Sequence, residues 1–160
     1  MPNIEKYSKE EVENLNWWKE KCGEIKKGIY IYRLAENKIP YPLKESDIFY
    51  IGKAVNIPKR LHWHFTVDCR ERLINSEETL AWFYQNYYKE RISHNIQIIE
   101  FNESEKELYH LECLFIGIFA LKFGSMPLCN GMVGRKRFKE IYENPKHEGE
   151  IRAIKKILAL

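Results

Sequence analysis

Two short blocks constrain this chain most: Gly28-Ile29-Tyr30 and Tyr50-Ile51-Gly52. Each combines a glycine, a β-branched residue and a tyrosine. Isoleucine and tyrosine favour strands, whereas a glycine inside a strand marks a place where another backbone approaches closely. Each block therefore predicts a strand whose glycine lets a neighbouring chain segment approach closely. The second block runs without interruption into Lys-Ala-Val-Asn-Ile-Pro-Lys-Arg, at positions 53–60.

The two blocks and the string after the second, Tyr-Ile-Gly-Lys-Ala-Val-Asn-Ile-Pro-Lys-Arg, resemble the GIY-YIG nuclease superfamily, whose members cut nucleic-acid phosphodiesters. The resemblance covers about 28–130. It implies an α/β (α+β) core in which a small three-stranded sheet is flanked by helices. We expect residues 1–160 to form a single domain, with helical additions at 1–27 and 131–160.

The apolar pattern agrees with the order β-β-α-α-β-α that this core implies. Strands are expected at Ile29–Leu34, Ile48–Ile51 and Asn95–Phe101. Helices are expected to begin at the capping residues Ser8, Asn56, Ser76 and Ser104. They are expected to end, in the same order, at Gly23, near His64 or Phe65, near Arg91, and at Gly124. A short helix and a final one, with the apolar stripe Ile151, Ile154 and Leu158, follow.

The spacing between the motif tyrosines is the main departure from the family. Nineteen residues separate Tyr30 from Tyr50, which is more than the family usually has there. The intervening Ala35–Asp47 segment contains two prolines and is expected to be a loop that rims the nucleic-acid groove.

Composition indicates a folded, soluble protein, because 44% of the residues are apolar and 14% are aromatic. The cysteines are widely spaced and no secretory segment begins the chain, so reduced thiols in a cytoplasmic protein are expected rather than two disulfides. They are Cys22, Cys69, Cys113 and Cys129. The longest apolar run, Cys113 to Leu121, is too short for a membrane span. The net charge of +3 permits a nucleic-acid partner without demonstrating one.

Glu112 interrupts the apolar stripe that Leu108, Phe115 and Phe119 form on the long helix. A buried carboxylate is costly unless a cation, a metal ion or a proton compensates its charge. The pattern alone favours a core-edge glutamate whose carboxylate reaches solvent or pairs with an arginine. The resemblance implies instead that Glu112 is the family's single metal ligand. Mg²⁺, or Mn²⁺ in its place, suits such a site because Mg²⁺ keeps several waters and takes ligands from substrate phosphate.

Tyr30 and Tyr50 are explained either as strand aromatics or as active-site phenols. A phenol with its ordinary pKa near 10 is a poor base at neutral pH, but a neighbouring cation makes its ionised form more accessible. The resemblance implies that both tyrosines line the site and that one of them takes a proton from the attacking water. Lys53, directly after the second motif, is expected to stabilise a phenolate or a phosphate.

Arg60 and His64 lie four residues apart and therefore on one face of the short helix. An arginine holds phosphate oxygens and stabilises transition-state charge, and His64 would orient the water or assist the leaving oxygen. Without the motif, such a basic helix face is usually solvated. The resemblance also places Asn130 near the site, where it would contact phosphate or orient other residues. A turn asparagine before Gly131 is an equally good interpretation.

A dense basic run follows Asn130, and it either contacts phosphates or is a solvated surface. Its members are Arg135, Lys136, Arg137 and Lys139. Taken together, the motifs predict a metal-dependent endonuclease that acts on nucleic acid, most simply DNA. The alternative is a non-catalytic nucleic-acid-binding module inside a repair or restriction complex. The motifs specify neither the DNA target nor the oligomeric state.

Overall fold

A four-stranded antiparallel sheet organises the residues that the computed structural model describes, which are 2–21, 27–64, 93–130 and 137–159, without the side chains of Leu15, Trp18, Trp63 and His64. In chain order the strands are β1 Ile4–Ser8, β2 Gly28–Leu34, β3 Ile39–Pro40, β4 Glu45–Ser46, β5 Ile48–Ala54 and β6 His94–Glu100. The sheet has the order β1-β6-β2-β5, and β3 pairs with β4 in a separate two-residue ladder.

Helices cover both faces of this sheet. They are α1 Lys9–Glu13, α2 Leu15–Lys21, α3 Ile57–His64, α4 Glu105–Phe123, α5 Phe138–Tyr142 and α6 Glu148–Ala159, with a 3₁₀ turn at Pro145–His147. Within the described ranges, no helix combines the length and apolar character that crossing a bilayer requires.

The mixed α and β class predicted from the sequence is confirmed, and so are most element positions. The Asn56 side chain caps α3 by accepting the Lys59 N–H at 3.1 Å. The Ser104 hydroxyl caps α4 by accepting the Glu107 N–H at 3.2 Å, and α4 stops at Gly124, whose φ is 88°. β5 continues three residues beyond its predicted end. The helix predicted from Ser76 to Arg91 lies outside the described residues.

The prediction of a three-stranded sheet was wrong, because β1 adds a fourth strand along the outer side of β6. The pairing runs from Ile4 opposite Ile99 to Ser8 opposite Asn95. The N-terminal addition is therefore not purely helical. This strand is held by ladder hydrogen bonds at a sheet edge, and its five mostly polar residues carry too little alternation to reveal it in advance.

The first helix is interrupted at Asn14, so the prediction of one continuous helix was also wrong. The capping box was correct: Ser8 accepts the Glu11 N–H at 3.1 Å and Glu11 accepts the Ser8 N–H at 3.2 Å. Asn14, however, has extended backbone, and its side chain accepts the Asn16 N–H at 2.8 Å. Asparagine offers this local alternative to helix. The break allows Val12 of α1 and Trp17 of α2 both to be buried.

The long segment between β2 and β5 packs at the C-terminal end of α4. The Tyr41 side chain is buried, where its hydroxyl donates to the Ile48 carbonyl at 2.6 Å and accepts the Leu128 N–H at 3.0 Å. The Leu43 N–H donates to the last carbonyl of α4, that of Phe123, at 3.0 Å. This segment therefore braces the C-terminal end of α4. A contribution of the segment to a nucleic-acid groove stays a prediction.

Two hydrophobic cores lie on opposite faces of the sheet, as the period of two along β2 requires. Ile29 and Ile31 pack into the core that contains α4 and α6. Tyr30 and Tyr32 pack into the other core, with α3 and the N-terminal helices. Tyr30 and the α4 residue Glu112 therefore belong to opposite faces of the sheet, and β5 is the outermost strand on that side.

Candidate active site

The phenol of Tyr30 lies directly across Gly52, its partner in the β2–β5 register. A Cβ atom on Gly52 would lie 2.5 Å from Tyr30 Cζ and 2.6 Å from its hydroxyl oxygen. A Cβ on Gly28 would lie 1.9 Å from the Ile99 carbonyl oxygen of β6. Both motif glycines therefore occupy points of close approach. Only a glycine at position 52 lets the Tyr30 side chain cross β5.

Tyr30 and Tyr50 form a pair on this face of the sheet, with ring centroids 6.0 Å apart. The Tyr30 hydroxyl is hydrogen-bonded to the Tyr50 hydroxyl and receives a hydrogen bond from the Arg60 guanidinium of α3. Tyr32, by contrast, stacks on Phe49 at 5.9 Å and is fully buried, which fits a packing role. The motif tyrosines thus share a polar contact with each other on this face.

The two phenols differ in how readily they lose a proton. Burial raises the pKa of Tyr30, but the positive charge of Arg60 and its hydrogen bond oppose that rise. Burial raises the pKa of Tyr50 well above 10, and the neighbouring Tyr30 and Tyr32 raise it further. Tyr30 is therefore the easier of the two to ionise, because a cation touches its oxygen.

On the outer edge of β5, every second residue forms backbone hydrogen bonds with groups outside the sheet. The Phe49 carbonyl accepts the Cys129 N–H at 2.8 Å. Ile51 donates to Asn130 Oδ1 at 2.9 Å and accepts from Asn130 Nδ2 at 2.7 Å. Two residues on, the Lys53 N–H donates to the Glu112 carboxylate. Since an uncovered edge strand leaves such groups unpaired, these contacts fix β5 in place beside the tyrosines.

Asn130 thus acts on the site through the backbone of β5. It is only 7% exposed, and both polar atoms of its amide bond to Ile51. Its φ is not positive, so it is not a left-handed turn asparagine. Both polar atoms of the Asn130 amide are therefore used by the backbone of β5.

Glu112 is half-buried on α4, and burial raises the pKa of its carboxyl group. The Lys53 charge, the Lys53 N–H and the Arg60 charge partly oppose this rise. Within the described ranges, no group of three or more His, Cys, Asp or Glu residues is placed to hold a metal ion. A divalent ion held by Glu112 would complete its shell with water and phosphate oxygens. That donor set fits Mg²⁺.

An open groove of about 550 Å³ lies beside these groups. Its lining consists of Lys53, Ala54, Val55, Asn56, Lys59, Arg60, Glu105 and Leu108. Three of these residues are positively charged, Lys53, Lys59 and Arg60, and one is negatively charged, Glu105. The groove therefore favours an anionic ligand. Asn56 and Glu105 were not predicted as groove residues. Asn56 is the N-cap of α3 and Glu105 the first residue of α4. The sequence reveals both helix starts, but it does not reveal that they lie at the same groove.

The structure brings together five of the residues predicted for the site, namely Tyr30, Tyr50, Lys53, Arg60 and Glu112. His64 closes α3 one turn after Arg60, and its side chain is not among those described.

Of the basic run, Arg135 and Lys136 also lie outside the described residues. Arg137 is exposed at the start of α5, with Nη2 3.5 Å from the Glu140 carboxylate. Burial raises the pKa of the Cys113 thiol on α4, and the positive charge of Arg137 partly opposes that rise. Arg137 therefore lies near the helix that carries Glu112.

Comparison of the chain with protein-family models, curated proteins and solved structures finds no match. The resemblance to the GIY-YIG superfamily therefore rests on the motif residues themselves.

Replacing Gly52 by Ala tests the close contact beneath Tyr30. The new methyl group overlaps the phenol ring, so we expect unfolding in urea to become easier by about 1–3 kcal/mol. Gly149→Ala is the matched control, because a Cβ there meets no atom within 4 Å. In helix α6 that change should be neutral or stabilise by up to about 1 kcal/mol. Equal stability of the two variants would show that Tyr30 does not rest on Gly52.

Proposed function

We propose that this chain is a metal-dependent endonuclease that hydrolyses DNA phosphodiester bonds by direct attack of water. The observation that carries the proposal is the convergence of Tyr30, Arg60 and Glu112 at the edge of β5, beside an open cationic groove. A phenol contacted by a cation and a half-buried carboxylate from the opposite layer are an unusual combination for packing alone.

The groove supports binding of a nucleic-acid backbone. Three positively charged residues line the groove, namely Lys53, Lys59 and Arg60. Lysine and arginine in such a position neutralise phosphates without reading bases. Arg60 would hold the scissile phosphate, and Lys53 a neighbouring oxygen.

Tyr30 is the better candidate for the general base. Its oxygen already accepts a hydrogen bond from Arg60, which stabilises the phenolate, and Tyr50 contacts the same oxygen. The phenolate would take a proton from water as that water attacks phosphorus. Tyr50, with its higher pKa, would remain protonated and hold Tyr30 in orientation.

Glu112 would hold the divalent cation. When bound, Mg²⁺ polarises the phosphate and neutralises the charge on the leaving 3′ oxygen. The Lys53 N–H holds one carboxylate oxygen of Glu112 in place at the edge of β5. The products would carry a 5′-phosphate and a 3′-hydroxyl.

The alternative proposal is a nucleic-acid-binding module in which Glu112 has only a structural role. The hydrogen bond from the Lys53 N–H favours it, because that contact gives the carboxylate a use without metal. Nicking of supercoiled plasmid in Mg²⁺ or Mn²⁺ separates the two. Binding of DNA without nicking in either metal would establish the module.

Glu112→Gln should abolish nicking and leave DNA affinity within about threefold of native, because it removes the cation ligand but keeps an oxygen for the Lys53 N–H. The raised pKa means that the charged carboxylate costs stability above its folded-state pKa. We therefore expect the variant to melt at a higher temperature than the native chain at pH 7. This advantage should shrink as pH falls from the raised folded-state pKa towards about 4.3, and it should be absent below that pH, where the carboxyl is protonated even when unfolded.

Glu103→Gln, an exposed change just before α4, is the control and should match the native chain in both assays. Calorimetry that finds unchanged Mn²⁺ binding in Glu112→Gln would contradict the metal assignment.

Tyr30→Phe should slow single-turnover cleavage by at least ~10²-fold, the usual effect of losing a general base. Tyr50→Phe should have a smaller effect, since it removes only an orienting hydrogen bond. Tyr32→Phe, in the packing position, controls for loss of a buried hydroxyl. Native rates in both Tyr30→Phe and Tyr50→Phe would reduce these phenols to packing residues, and a larger loss in Tyr50→Phe would exchange their roles.

Replacing Arg135, Lys136 and Arg137 together by Ala should weaken binding equally for DNA duplexes of different sequence. The log–log salt dependence of binding should flatten by about one unit for each phosphate that the variant no longer neutralises, giving one to three units in total. The same number of charges removed from α6, at Arg152, Lys155 and Lys156, should leave the slope unchanged. An unaltered slope in the first variant would mark the run as an ordinary solvated surface.

A further inference from the structure

A second concave surface lies at the other end of α4. It has a volume of about 390 Å³ and is lined by Ile118, Leu121, Lys122, Tyr142, Lys155 and Leu158. We call it the α4–α6 groove. Leu121 lies nine residues beyond Glu112 on the same helix, which corresponds to roughly 13 Å along the axis. The groove therefore shares no residue with the site proposed for cleavage.

The floor of the α4–α6 groove is apolar and partly open to solvent. Ile118 and Leu158 are buried beneath it, whereas Leu121 is 58% exposed. Leu43, 71% exposed, lies at the same end of α4, since its N–H bonds to the Phe123 carbonyl. Both leucines lie at the C-terminal end of α4, and exposed apolar side chains above a buried apolar floor are typical of interaction surfaces.

Two lysines flank this apolar floor. Lys122 Nζ lies 5.2 Å from the ring centroid of Phe123, and Lys155 Nζ lies 5.7 Å from that of Tyr142. Among the ion pairs of the described residues, neither ammonium group has a carboxylate partner. The charges of Lys44 and Arg33 also act on Lys122. The rim of the groove is therefore positive and open to an acidic ligand.

We propose that the α4–α6 groove docks an acidic amphipathic helix of a partner protein. Apolar side chains at i, i+3 and i+4 of that helix would fill the floor beside Leu121, and carboxylates on its flanks would pair with Lys122 and Lys155. A DNA backbone would satisfy the lysines but has no apolar side chain for the floor. A flat lipid surface would not enter a recess between helices.

Such a partner would join the domain to another protein without touching the cleavage site. The groove lies on the C-terminal half of α4 and on α6, so occupation of it leaves Arg60 and Glu112 accessible. This inference is independent of the nuclease proposal, because it rests on a different surface.

Two synthetic helical peptides of about 14 residues test the proposal. Both carry Leu and Phe at helical spacing; one has glutamates on its flanks and the other has lysines. We expect the acidic peptide to bind the full chain with a dissociation constant below about 1 mM and the basic one to bind at least tenfold more weakly. Amide shifts of the ¹⁵N-labelled protein should concentrate on α4 beyond Ile118 and on α6.

The double variant Lys122→Glu/Lys155→Glu should bind the acidic peptide at least tenfold more weakly than the native chain. The control is Arg152→Glu with Lys156→Glu, which makes the same charge change at exposed positions outside the groove and should stay within about threefold of native. Leu121→Ser should also lower the affinity for the acidic peptide.

Several results would overturn the proposal: no binding of the acidic peptide, equal weakening in both charge variants, or shifts elsewhere on the chain. Displacement of the peptide by a DNA duplex or by phosphatidylserine vesicles, with loss of that competition in Lys122→Glu/Lys155→Glu, would assign the groove to those ligands instead.

Discussion

The contact between the Tyr30 phenol and the bare backbone of Gly52 is the constraint on which the rest of the site depends. With any larger residue at position 52, the phenol would lack the space to cross β5. It would then no longer reach Tyr50 and Arg60. A glycine usually weakens a strand, and here the strand is held instead by hydrogen bonds along its outer edge.

That outer edge connects the two layers of the molecule. The tyrosines and Arg60 lie on one face of the sheet, and Glu112 comes from the helix on the other. Glu112 is held beside them because its carboxylate accepts the Lys53 N–H. This contact lies two residues along β5 from the hydrogen bond between Asn130 and Ile51. A single set of backbone hydrogen bonds therefore supports the fold and positions the carboxylate. The same hydrogen bonds are needed whether Glu112 has a structural role or a catalytic one. Cleavage assays therefore distinguish the two roles.

Local chemistry allowed much of this arrangement to be predicted from the sequence. Caps such as Ser104 and Asn56 involve residues three apart, and the stripe that Glu112 interrupts is visible as a helical period. β1 was not predictable, since its place depends on ladder bonds to a strand some ninety residues away. The break at Asn14 arises because the side chain of this asparagine accepts the backbone N–H of Asn16, while both flanking segments bury a side chain. The Lys53 contact with Glu112 is likewise purely tertiary.

The stereochemical course of cleavage tests the central claim most directly, that water attacks phosphorus in a single displacement. A DNA substrate with one phosphorothioate of known configuration would be cleaved by the native chain in ¹⁸O-water with Mg²⁺ or Mn²⁺. The configuration of the labelled 5′-phosphorothioate product would then be determined. The account predicts inversion. Retention would indicate a covalent phosphotyrosine intermediate, and absence of cleavage in both metals would contradict the nuclease proposal itself.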